Sequence, residues 1–234
     1  MKNDTIGTGL LRKKDIEKAL ENRLADEARK KVEGLTEPLF DKRRVLIILI
    51  GSALVNTFVL GIVDVVAVSG FIGDTGIENL PWLWVAELSL NLLISTTVMQ
   101  LIDKVSRVKM MRVLVTLLFV TYLILAGLFF LNVSTKILYP IMYLIYAQQG
   151  ILFPMAFWNL ANQVYTPSDA KRYFPVLSSG DLLGRLLGYS LFTLAGLLGH
   201  AEFSESLIEN PSILMLISAS LFGLGVFSHA KFPA

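Results

Sequence analysis

Cysteine is absent from this chain of 234 residues, and histidine occurs only at His200 and His229. The first absence excludes disulfides, thiol nucleophiles and cysteine-held metals, and the second leaves no histidine cluster for a metal or a catalytic set. No GxxxxGK[ST] phosphate loop is present, nor a GxGxxG turn after a strand. We therefore expect no catalytic residues, no metal site and no cofactor. The net charge of +2 is not pooled into a basic surface, so nucleic acid is not an expected partner. The first 44 residues are highly charged and contain no apolar core, which excludes a cleavable signal peptide of the usual kind there.

What the chain has in quantity is apolar sequence. Hydrophobic residues make up 54% of it, and the mean hydropathy is +0.61. The apolar residues fall into six runs: Val45–Phe71, Trp82–Ile102, Val113–Leu131, Ile137–Val164, Pro175–Leu198 and Ser212–Ala230. Each is about 19–28 residues, and a hydrocarbon core of ~30 Å needs ~20 helical residues to cross. Inside the bilayer every backbone N–H and C=O must be paired within its own segment, so runs of this length read as helices. The expected fold class is an all-α integral membrane protein with six transmembrane helices, its spans filling 45–234 and a separate segment covering 1–44.

The charged residues between the runs set the sidedness. From residue 41 on, one set of segments carries Lys42, Arg43, Arg44, Lys104, Arg107, Lys109, Arg112, Lys171, Arg172 and Lys231, and the opposite set carries only Lys136. That opposite side is acidic, with Asp74, Glu78, Glu202, Glu205 and Glu209. Ten cations against one is a strong positive-inside bias. It places both termini in the cytoplasm, as an even number of spans requires. The expected location is a membrane of the bacterial inner-membrane type.

The N-terminal segment carries its own pattern. Residues ~11–33 hold good helix formers without Pro or Gly, and Ile16, Leu20, Leu24, Ala28 and Val32 recur every four residues as a narrow apolar stripe. Gly34 is a plausible stop, with Lys30 and Lys31 favourably placed for the helix dipole. A cytoplasmic amphipathic helix follows, docking on a partner or lying on the membrane, or else simply solvated. The stripe lacks Trp and Phe, which weakens membrane insertion. Residues 1–10 read as a loose tail.

After the second run comes Asp103-Lys-Val-Ser-Arg-Val-Lys109. Asp103, Lys104, Arg107 and Lys109 resemble the cytoplasmic signature between the second and third helices of the major facilitator superfamily, a tight basic turn held by one carboxylate. Ser106 and Met99 stand where that signature has glycines. Residues 158–187, with Gln148, Gln149, Gly150 and Pro154 before them, resemble the fourth and fifth helices of the bacterial and plastid ATP/ADP translocase (nucleotide transporter) family. Phe157-Trp158, Asn162, the Ala170–Pro175 loop and Gly180, Gly184 and Gly188 carry that likeness. The resemblance implies the N-terminal six-helix half of an alternating-access carrier for nucleotides or another anionic metabolite. Such carriers are built from two halves with the solute between them. The second half would come from more sequence, from a homodimer mate or from other membrane subunits. The alternative is a scaffold subunit of a larger membrane complex that transports nothing.

Polar residues at membrane depth are expensive and mark candidate sites. Glu87, Gln148, Gln149, Asn159, Asp181 and Arg185 are the candidates for a solute path or gate, with Asp64, Asn56, Asn91 and Gln100 as further polar positions. Asp181 and Arg185 are four apart and can pair on one helix face, as a gate or as a structural pair. Arg185 is the only Lys or Arg well inside a run, few for a nucleotide's phosphates. Gly180, Gly184 and Gly188 form a small-residue groove along the fifth run where another helix can approach. Pro175 suits the first turn of a helix.

Overall fold

A computed structural model of the chain describes residues 4–102, 105–197 and 210–230, and side chains at most of those positions. Helix accounts for nearly all of them, and no strand occurs among the described residues. The helices are α1 (Asp4–Thr75), α2 (Leu80–Ile102), α3 (Arg107–Phe130), α4 (Thr135–Val164), α5 (Pro167–Leu197) and α6 (Ser212–Ala230), with a 3-10 turn at Ile77–Asn79. Three stretches are long and apolar enough to cross a membrane: Arg44–Thr75, Arg107–Phe130 and Thr135–Val164. The described residues are thus all-helical, with three helices of the length and apolar character that a membrane crossing needs. Of the other expected spans, α5 has the length but carries Lys171, Arg172, Asp181 and Arg185. In α6 the side chains are described over Ser212–Phe227, which is apolar, and the helix runs to Ala230.

The chain divides into two compact units, Met1–Val45 and Leu46–Ala234. In the first, helix begins at Asp4, where a loose tail was expected, and does not stop at Gly34. One glycine costs a helix about 1 kcal/mol against alanine, which the strong helix formers around it offset. Of the apolar stripe, the Leu20 and Leu24 side chains are described, and they are 59% and 58% exposed.

The second unit is a bundle in which α3 packs most extensively on α6 and then on α4, while α2 packs on α4. Leu49, Val59, Ile62, Val63, Met111, Leu138, Met142, Leu160 and Met215 are fully buried. Between helices in lipid, burial supplies dispersion contacts rather than escape from water, so shape decides what packs. Tyr122 of α3 stacks on Phe222 of α6 with ring centroids 5.8 Å apart, and Phe129 of α3 meets Tyr139 of α4 at 5.7 Å. The Tyr139 ring lies where a Cβ on Gly70 of α1 would sit, so α1 and α4 approach closely there.

The turns have local causes. Asn132 takes a left-handed φ of 53° just after α3. Its N–H donates to Phe129 O at 3.1 Å, and Val133 N–H reaches Leu128 O at 3.2 Å. That pair of bonds is a Schellman stop, which satisfies carbonyls at the helix end. At the start of α5, Thr166 Oγ1 and the Asp169 carboxylate bond at 2.8 Å, and Asp169 N–H donates back to Thr166 Oγ1 at 3.4 Å. With Pro167 in the first helical position, this cap fixes the start of α5. Pro175 is therefore inside α5 rather than in its first turn. The earlier start wins because it has both a capping side chain and a proline that needs no N–H partner.

Candidate functional site

Helix α4 is the hub of the polar contacts. On the side facing α2, Tyr143 Oη donates to Glu87 Oε2 at 2.6 Å, and Gln148 Nε2 donates to Asn91 Oδ1 at 2.6 Å. Glu87 and Asn91 are one turn apart on α2, so two polar bridges join this helix pair along one seam. Both donor–acceptor distances are at the short end of the hydrogen-bond range.

A second seam joins α1 to α5. Tyr189 Oη donates to Asp64 Oδ2 at 2.8 Å, and Tyr146 of α4 is within hydrogen-bonding reach of the same carboxylate. Tyr143 and Tyr146 hold their rings 5.9 Å apart. Two carboxylates from α1 and α2 are thus met by phenols from α4 and α5. The sequence reading missed these tyrosines, because tyrosine in a membrane helix reads first as an interfacial aromatic. The available signal was their position on helices opposite Asp64 and Glu87.

The glycine row of α5 creates this seam. A Cβ on Gly188 would come within 2.6 Å of Phe58 O and 3.0 Å of Gly61 Cα, both on α1. A Cβ on Gly184 would overlap Thr57 Oγ1 and Leu54 O, and one on Gly180 would be 3.1 Å from Ile50 O. Only hydrogen in place of a side chain permits the two backbones this proximity. The next positions along α5, Asp181, Arg185 and Tyr189, follow the same four-residue rhythm and form a polar stripe beside the contact.

Within that stripe, Arg185 Nε and Asp181 Oδ2 are 3.8 Å apart, with the side chains 48% and 46% exposed. The pair is electrostatic and lies beyond hydrogen-bond length. It borders a cavity of about 260 Å3 walled by Phe153, Phe157, Trp158 and Leu177. α5 is 31 residues long, and the pair lies near its middle.

The remaining candidates go elsewhere. Gln149 and Gln148 both border a cavity between α2, α3 and α4, but Gln149 is the more deeply buried of the two. It is 1% exposed, accepts a bond from Tyr122 Oη at 2.5 Å and donates to Asn56 Oδ1 at 3.0 Å. Adjacent residues on a helix point about 100° apart, so one glutamine faces α2 and the next faces α1 and α3. Asn56 is also buried, and its Nδ2 has no hydrogen-bond partner among the described residues. Asn159 is half-buried farther along α4, and none of the described hydrogen bonds joins it to the other candidates. In the first turn of α3, Arg107 and Lys109 are exposed, while Asp103 and Lys104, before that helix, lie outside the described residues.

Near the end of α4 an aromatic group gathers, with Tyr165 against Tyr173 at 5.2 Å and Trp158 against Phe174 at 5.2 Å. The Tyr165 hydroxyl is buried with no hydrogen-bond partner among the described residues. Burial pushes its phenol up to about 12, with Tyr173 and Asp169 adding to the rise.

Compared with protein-family models, with curated proteins and with solved structures, the chain finds no match.

Proposed function

We propose that the chain is one six-helix half of an alternating-access solute carrier, built on the plan of the major facilitator superfamily, with both termini in the cytoplasm. One observation carries this reading. Asp181, Arg185 and Tyr189 stand half-exposed along one face of α5, and Tyr189 bonds the Asp64 carboxylate contributed by α1. A charged side chain facing lipid costs up to about 2.5–3.5 kcal/mol at the centre of a span by insertion scales, and Asp181 and Arg185 lie in the cytoplasmic half of the Pro175–Leu198 run. Two such charges on an uncovered face call for water or another protein against that face. A second half closing over it, with a water-filled path between, meets this need and gives the polar seams a use.

The seams are also suited to rocking. Polar bridges at Glu87–Tyr143 and Asn91–Gln148 tie α2 to α4, and Asp64–Tyr189 ties α1 to α5, which stiffens these helix pairs. Alternating access moves one half against the other around a fixed site.

The scaffold reading draws support from a different place, the exposed Leu20 and Leu24 on the N-terminal helix, which offer an apolar edge to a partner. Reconstitution separates the two. The purified chain in liposomes is expected to self-associate and to take up a small charged solute, with uptake lost in Arg185→Ala. Stable co-purification with unrelated membrane subunits, and no uptake of amino acids or nucleotides, would replace the carrier with the scaffold.

A further inference from the structure

We infer that the cavity beside Asp181 and Arg185 binds a zwitterionic α-amino acid with an apolar side chain. This assignment names a solute class for the carrier proposed above and rests on that reading.

The first argument is charge. The cavity presents one guanidinium and one carboxylate, 3.8 Å apart at Nε and Oδ2. A nucleotide would bring several negative charges to a site that offers one cation and repels them with Asp181. A zwitterion brings one charge of each sign at short, fixed spacing. Its carboxylate meets the planar fork of Arg185, and its ammonium meets Asp181. Neither protein charge is left uncompensated, which is the costly outcome at a partly dry site.

The second argument is the looseness of the pair. A closed, bidentate pair would have no capacity to spare. Here the atoms are beyond hydrogen-bond length and both side chains are about half exposed, so guanidinium donors and carboxylate lone pairs remain for a ligand.

The third argument is the wall. Phe153, Phe157 and Trp158 of α4 give the cavity an apolar wall, and Leu177 of α5 adds to it one turn before Asp181. Phe157 and Trp158 meet edge to face at 5.2 Å, which fixes both rings. An apolar side chain fits against these surfaces, while the head group stays with the charged pair. The volume of about 260 Å3 is at or below the small end of ordinary ligand pockets, roughly 300–1,000 Å3. It suits a small solute rather than a nucleoside with its phosphates.

Trp158 supplies the readout, since the only other tryptophans are Trp82 and Trp84. In the full-length Trp82→Phe, Trp84→Phe protein, purified in detergent, Trp158 emission is followed during titration with L-leucine. The controls are isopentylamine, which lacks the carboxylate, isovalerate, which lacks the ammonium, and ATP. L-leucine is expected to give a saturable change, with both half-analogues at least about tenfold weaker, as loss of a charge-assisted bond implies. Asp181→Asn and Arg185→Gln should each weaken leucine binding by a similar factor. The ligand comparison is made on the unaltered pair, so it stands even if a variant fails to fold. Equal responses to leucine and its half-analogues, a saturable response to ATP but not leucine, or silence towards every probe would each overturn the assignment. Leucine binding without uptake in liposomes would leave the site standing and remove the carrier reading.

Discussion

Gly188→Ala tests the contact on which the arrangement of α1 and α5 depends. The new methyl carbon would sit 2.6 Å from Phe58 O, where ordinary contact begins near 3.4 Å. The difference, 3.4 minus 2.6, requires α5 to retreat by about 0.8 Å, because the obstructing atom is backbone in the middle of α1 and has no rotamer to change. Overpacking of this kind costs about 1–3 kcal/mol. The same retreat acts on the next residue. Tyr189 Oη to Asp64 Oδ2 would lengthen from 2.8 Å to about 3.6 Å, past hydrogen-bond length, for another 0.5–1.5 kcal/mol or so. The two costs together are about 1.5–4.5 kcal/mol, and the helix propensity of alanine offsets about 1 of that, for an expected net loss of about 0.5–3.5 kcal/mol. Gly150→Ala on α4 is the matched control, since a Cβ there meets nothing within 4 Å. Its helix propensity should hold stability level or raise it by up to about 1 kcal/mol. Denaturant titration of the purified protein, followed by circular dichroism, measures both. If Gly188→Ala proves as stable as Gly150→Ala, the close approach of α1 and α5 is wrong.

The buried glutamine gives a second measurement: Tyr122→Phe should cost about 1–3 kcal/mol in the same titration, because Gln149 Oε1 loses its buried donor. An unchanged midpoint would show that this bond is not made. For the open pair on α5, Asp181→Asn should cost under about 1 kcal/mol, and adding Arg185→Gln should change little, as for exposed ion pairs. A large single-variant loss rescued by the double variant would mean that the pair is closed and dry. The natural chain has no cysteine, so single cysteines report sidedness directly: one at Asn132 should react with an impermeant thiol reagent in intact cells and one at Ser106 should not, and the reverse pattern would invert the topology. Tyr165 gives a pH test. Its folded phenol titrates near 12 rather than 10.0, so deprotonation favours the unfolded chain, and stability is full below pH 10 and falls as pH rises towards 12. Tyr165→Phe should flatten that decline, and an identical alkaline profile in the variant would refute it.

The parts of the molecule legible in the sequence are those written in local pattern. Length and hydropathy mark Val113–Leu131 and Ile137–Val164 as helices, because hydrocarbon allows a segment of that kind few other conformations. The spacing of Gly180, Gly184 and Gly188 marks a groove, but nothing in the spacing says that α1 fills it at Leu54, Phe58 and Gly61. That pairing spans more than a hundred residues and is decided by which surfaces interlock. Gln148 and Gln149 show the same limit at its smallest scale. Next to each other in sequence, they carry equal chemical promise, and only the rotation of α4 sends one to Asn91 and the other into the interior. Tyr143, Tyr146 and Tyr189 were illegible for the opposite reason, since each has an ordinary role at a membrane surface and acquires its present one from a carboxylate on another helix.

The Tyr122–Gln149–Asn56 chain bears on how the protein is made. Its three members come from α3, α4 and α1, and Gln149 and Asn56 are 93 residues apart. A helix released singly into lipid would carry a side-chain amide with no partner, in a medium where that is costly. α1 leaves the ribosome long before α4 exists. Entry of α1 and α4 into lipid together would spare each amide that cost, so joint release of these helices is the expected low-energy route.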